Sequence, residues 1–115
     1  MDSRIEKLRD MGCDVEEAME RFLDDEEFYL ECVGKVLCDE QFDKLKTALE
    51  NEQTQDGFDC AHTLKGLAAN VGLVSLEEKL SAIVEPLRAG KEEDFTIKYQ
   101  DLVDERAKYV EIIAK

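Results

Sequence analysis

The chain has one histidine, one proline and about half as many basic residues as acidic ones, 15 against 29. Each shortage excludes something. A single imidazole rules out a multi-histidine metal centre, and the four cysteines, Cys13, Cys32, Cys38 and Cys60, include no C-x-x-C pair. No metal site is therefore expected, and the thiols are read as small apolar residues. A net charge of −14 repels the phosphates of nucleic acid and of anionic membrane surfaces, so neither is expected as a partner. No apolar run approaches the roughly 20 residues that span a bilayer, and Met1-Asp2-Ser3 does not open a signal peptide. A cytoplasmic protein is expected. There is no G-x-S-x-G elbow, no glycine loop to cradle a phosphate and no second histidine, which argues against an enzyme using His62 as a general base and against an autonomous ATP-dependent kinase.

Also missing is any stretch that alternates with period two for long enough to make a strand, any repeat and any low-complexity segment. What remains is helical periodicity. A length of 115 residues, 38% of them charged, suits one domain spanning 1–115. Ser3 with Glu6 and Asp14 before Val15 have capping spacing, so residues 1–24 should hold two short helices, the first closed by Gly12. From Glu26 to Leu37 a stripe of Phe28, Cys32, Val33, Val36 and Leu37 predicts a helix. It resumes in a new phase at Phe42, Leu45, Ala48 and Leu49, so a break is expected near Cys38 to Glu40, with Asp39 as cap.

The polar run Asn51 to Gly57 reads as a connection. After the segment that follows it, Ser75 with Glu78 predicts a helix start and Leu76, Leu80, Ile83, Val84 and Leu87 its inner face; Pro86 should bend or loosen its last turn. A last helix is expected from about Glu92 to Ala114, with Phe95, Tyr99, Leu102, Val103, Arg106, Tyr109, Val110 and Ile113 along its stripe. The pattern predicts an all-α fold, an antiparallel four-helix bundle over 25–115 with the short N-terminal helices packed over one end. No heptad seam is left over, which favours a monomer.

The single histidine lies in Phe58 to Leu73, FDCAHTLKGLAANVGL. At about 100° per residue, Cys60, Leu64, Leu67 and Val71 fall opposite His62, which therefore looks outward. Beside it project Phe58, Ala69 and Leu73, with Gly66 one turn on and Lys65 and Asp59 flanking. A lone histidine is more often a plain surface residue than a chemical one. Here a helix-interior glycine, costing on the order of 1 kcal/mol against alanine, and a lysine beside the ring suit an imidazole that meets an anion.

His62-Thr63-Leu64-Lys65-Gly66-Leu67-Ala68, followed by Asn70 and Gly72, resembles the H-x-L-K-G-x-A signature of histidine-containing phosphotransfer (HPt) domains. The resemblance implies a four-helix bundle and a module of a multistep phosphorelay. His62 would take a phosphoryl group from an aspartyl phosphate of a receiver domain and pass it to another receiver. Lys65 would offset charge on the phosphoryl oxygens, Gly66 would give access, and Phe58, Asp59, Ala69 and Leu73 would meet the receiver. Such a module is a phosphoryl carrier, not an enzyme. It needs no cofactor of its own, the Mg2+ belonging to the receiver.

The implied partners are response-regulator receiver domains, with a hybrid sensor histidine kinase as a further candidate. Some members hold the ring with a polar side chain from the adjacent helix, but the sequence singles out none of Glu78, Lys79 or Ser81. The alternative is a helical docking module for receivers or kinases that takes no phosphate.

Overall fold

The computed structural model describes residues 2–114 and is helical throughout its regular parts. The elements are α1 (Ser3–Asp10), α2 (Val15–Arg21), α3 (Glu26–Leu37), α4 (Gln41–Glu50), α5 (Thr54–Asn70), α6 (Val74–Arg88) and α7 (Thr96–Ala114). Around the core α4 packs on α5, α5 on α6, α6 on α7 and α7 on α3, while α1 lies against α7 and α2 against α3. One continuous cluster of buried side chains joins them, with Tyr29, Phe42, Leu64, Leu80, Ile83 and Tyr109 among its largest members.

Carboxylates set several of the helix starts. Asp14 accepts from the amide of Glu17 (3.2 Å) and Asp25 from that of Phe28 (3.0 Å), each holding an amide that the first turn leaves without a partner. The break at Cys38–Glu40 is present; the cap position of α4 is Glu40 instead of Asp39 and has no side-chain cap, while the Asp39 carboxylate takes the amide of Gln41 at 2.8 Å from one residue further back. Two α7 side chains brace it. Arg106 donates to the Leu37 carbonyl (2.6 Å) at the negative end of α3 while its guanidinium lies over the Phe42 ring, and Tyr99 donates to the Phe42 carbonyl (2.9 Å).

Other expected starts are corrected. The cap of α1 is Asp2, not Ser3: its carboxylate takes the Arg4 amide at 2.8 Å and the Arg4 side chain as well. The connection before α5 is shorter than Asn51 to Gly57, because Glu52 at φ 55° completes the turn and the helix is already under way at Thr54. Ser75 does not cap α6, which begins at Val74; its hydroxyl is engaged with the Tyr109 hydroxyl of α7. Residues 92–95 precede α7 instead of opening it, since Asp94 caps Thr96 through both its amide (2.9 Å) and its hydroxyl (2.6 Å). Pro86 is accommodated inside α6, which runs on to Arg88.

The end of α5 is held by the N-terminal segment. Arg21 donates to the carbonyls of Asn70 (3.0 Å) and Ala69 (3.2 Å), Tyr29 to that of Val71 (2.7 Å), and the Asp14 amide to that of Gly72 (3.0 Å). Carbonyls at a helix C-terminus have no partner within the helix, and here Arg21 of α2, Tyr29 of α3 and the amide of Asp14 supply them. Gly72 makes the approach possible. Its φ is +74°, and a Cβ there would stand 2.6 Å from the Asp14 carbonyl oxygen.

Candidate functional site

The α5 sequence turns an apolar side towards the core and a mostly polar side outward. Cys60, Ala61, Leu64 and Ala68 are buried, and Leu67 is partly so. His62, Gly66 and Ala69 are exposed on the opposite face, as the helical projection requires. A Cβ built on Gly66 meets nothing within 4 Å, so no intramolecular packing asks for glycine there.

The imidazole is not alone on its face. The ring of Phe58, one turn before it, lies 5.4 Å away and nearly parallel, at 11°. The guanidinium of Arg88, near the end of α6, stands 5.5 Å from the Phe58 ring centre. One turn after the histidine, the Lys65 ammonium reaches to 4.0 Å from one carboxylate oxygen of Glu85, whose other oxygen is 3.6 Å from Arg88. Two cations and one anion, Lys65, Arg88 and Glu85, are thus linked beside the Phe58 ring in a chain of net charge −14.

One expected site residue is placed differently. Leu73 is fully buried, because α5 ends at Asn70 and the turn at Gly72 drives the leucine into the core instead of carrying it on along the histidine face. Asp59 is exposed and accepts a hydrogen bond from Gln55 (2.9 Å) on its own helix. The acidic residue in the first turn of α5 is Asp56. Phe58 is partly buried, its ring nearly parallel to the imidazole.

The α6 side chains of this group are Glu85 and Arg88, which the sequence reading passed over. A signal was present: Ser81, Glu85 and Arg88 are spaced four and three apart beside the buried Leu80, Ile83, Val84 and Leu87, so they share one flank of α6. Which flank faces α5 depends on how the helices pack. The thiols also divide, with Cys13 and Cys60 buried, Cys32 intermediate and Cys38 exposed, so the apolar reading does not hold for Cys38.

A family model described as Hpt domain matches residues 36–107, from the end of α3 to the middle of α7 and including all of α5 and α6. The chain belongs to the Hpt domain family. Hpt domains are phosphocarrier modules of phosphorelays and interact with receiver domains and kinases. No curated protein and no solved structure matches this Hpt chain. Its helices α1 and α2 lie outside the matched residues, yet Arg21 of α2 supplies the partner of the Asn70 and Ala69 carbonyls at the end of α5. Among the described residues no helix is long and apolar enough to cross a membrane.

Proposed function

We propose that His62 is the phosphoacceptor of a multistep phosphorelay. It takes a phosphoryl group from the aspartyl phosphate of one receiver domain and delivers it to the aspartate of another. The observation that carries this is an imidazole exposed on a helix face whose next turn, at Gly66, is open space. In the forward step the lone pair of the unprotonated ring nitrogen forms an N–P bond as the P–O bond to the aspartate breaks, and the carboxylate leaves with the bonding pair. The second receiver reverses these changes. Such a transfer asks for in-line approach and charge balance more than for catalytic groups on the carrier, and the Mg2+ comes with the receiver.

Lys65 is the near cation for the phosphoryl oxygens. Its present partner, Glu85, sits at the limit of an ion pair, so the ammonium can change partner at little cost. Gly66 and Ala69 leave room for the visiting loop, and Asp59 lies at the edge of the contact. We read the circuit of α3 with α4, α5, α6 and α7 as the antiparallel four-helix bundle of the family, acting as a cytoplasmic monomer with a receiver domain or a hybrid kinase as partner.

The test is incubation with a receiver domain carrying labelled phosphate. Acid-labile label on the wild type and none on His62→Gln is the expected result. If neither is labelled while both still bind the receiver, the docking-only alternative replaces this one.

A further inference from the structure

An exposed histidine on a helix is ordinarily free to turn about its side-chain bonds, and each turn moves its ring nitrogens away from a fixed line of attack. The ring of His62 is not free in this way. Phe58 lies nearly parallel to it in an offset stack, ring centres 5.4 Å apart, and Arg88 from the neighbouring helix stands over the Phe58 ring. Glu85, one turn before Arg88 on α6, reaches both Arg88 and Lys65. Contacts therefore run from the imidazole through Phe58, Arg88 and Glu85 to Lys65, which lies three residues beyond the histidine on the same helix. No hydrogen bond is needed to orient the ring.

We propose that Arg88 is a positioning residue for phosphotransfer: it holds Phe58 flat against the imidazole and so fixes the plane in which His62 presents its nitrogen. This rests on the phosphocarrier reading above and adds to it a role for α6. A phenylalanine between two helices can otherwise swing into solvent or fall into the groove. An arginine over its face selects the one rotamer that stacks on the histidine. Phe58 is then a wall of the site before any receiver arrives, and Arg88 acts through it without touching the phosphoryl group.

The experiment reads ring geometry and transfer separately, on the full chain. Stacking places the His62 ring protons in the shielding zone of Phe58, so their proton NMR resonances should lie upfield of those in Phe58→Ala. In Arg88→Ala they should move part of the way to the Phe58→Ala positions, and in Arg88→Lys they should stay close to wild type. Transfer from a phosphorylated receiver, measured at saturating receiver, should be about two- to five-fold slower in Arg88→Ala, the size to which an exposed cation–π contact converts. The receiver concentration for half-maximal rate should not change, and Arg88→Lys should recover most of the loss.

Unmoved ring resonances in Arg88→Ala, or a change confined to receiver affinity, overturn the positioning role. Because the resonances are read without any receiver, that outcome is distinct from failure of the phosphocarrier reading, in which the wild type itself takes no phosphate.

Discussion

Lys65 and Gly66 adjoin the same imidazole, yet their contributions to folding and to transfer separate. Lys65 makes one long ion pair, to Glu85 at 4.0 Å, and its side chain is 28% exposed. An exposed pair of this kind contributes about 0–1 kcal/mol, so Lys65→Ala should unfold at nearly the wild-type urea concentration. Transfer to it should be about ten-fold slower or worse, because the phosphoryl oxygens lose their nearby cation. A wild-type rate would remove Lys65 from the mechanism. At Gly66, an added Cβ meets nothing and the residue costs helix stability, so Gly66→Ala should raise unfolding stability by roughly 0.5–1 kcal/mol. Gly66→Leu should fold as well but lose about ten-fold or more in receiver affinity, read by titration, since its side chain fills the approach path. Normal affinity in that variant would move the contact surface elsewhere.

Between α2 and α5 the decisive position is Gly72. Alanine there must adopt a left-handed conformation and meet the Asp14 carbonyl oxygen at 2.6 Å, so Gly72→Ala should lose about 2–4 kcal/mol in urea denaturation. A loss below half a kcal/mol would mean that the two segments do not meet closely in solution. The same junction explains which elements could be read in advance. α3 and the break after it follow from local facts, a carboxylate at Asp25 and at Asp39 and an apolar stripe that changes phase between Leu37 and Phe42.

The start of α6 does not follow from local facts. Ser75 has the spacing of a cap, but its hydroxyl goes to Tyr109, 34 residues away, while the turn is fixed by Gly72 against Asp14. Leu73 was misplaced for the same reason, a helical projection having been carried past the true helix end. The His62 face itself was legible, because period and polarity within a single helix decide it. Glu85 and Arg88 were not, because their place beside Phe58 and Lys65 depends on how α6 sits against α5.

Over the whole molecule, the N-terminal helices are part of the core. Ile5, Leu8, Val15 and Met19 are buried and together remove apolar surface worth about 6–12 kcal/mol, comparable with the roughly 5–15 kcal/mol of an ordinary domain. A chain beginning at residue 25 should therefore lose its cooperative thermal transition, followed by circular dichroism. A sharp melt within a few degrees of the full chain would contradict this.

Alkaline pH reaches the same junction. Burial pushes the Tyr29 and Tyr109 phenols above their ordinary value of 10.0, so the fold favours their neutral forms and unfolding releases them to ionise. Their contribution is intact below about pH 10 and is lost as pH rises beyond it, by up to about 1.4 kcal/mol per pH unit for each tyrosine. Tyr29→Phe should lower stability at neutral pH by about 1–2 kcal/mol, through the Val71 carbonyl it leaves unpaired, and make the alkaline fall shallower. An unaltered alkaline slope would show that Tyr29 ionises as readily folded as unfolded.

The central claim is that an exposed imidazole on α5 accepts phosphate from another protein. Its most direct measurement is a phosphorus-31 NMR time course of the chain mixed with a phosphorylated receiver and Mg2+. The account predicts that the acyl-phosphate resonance is replaced by a phosphoramidate resonance of the histidine type, absent with His62→Gln. Decay of the acyl phosphate to inorganic phosphate alone, at the rate of the receiver by itself, would contradict it.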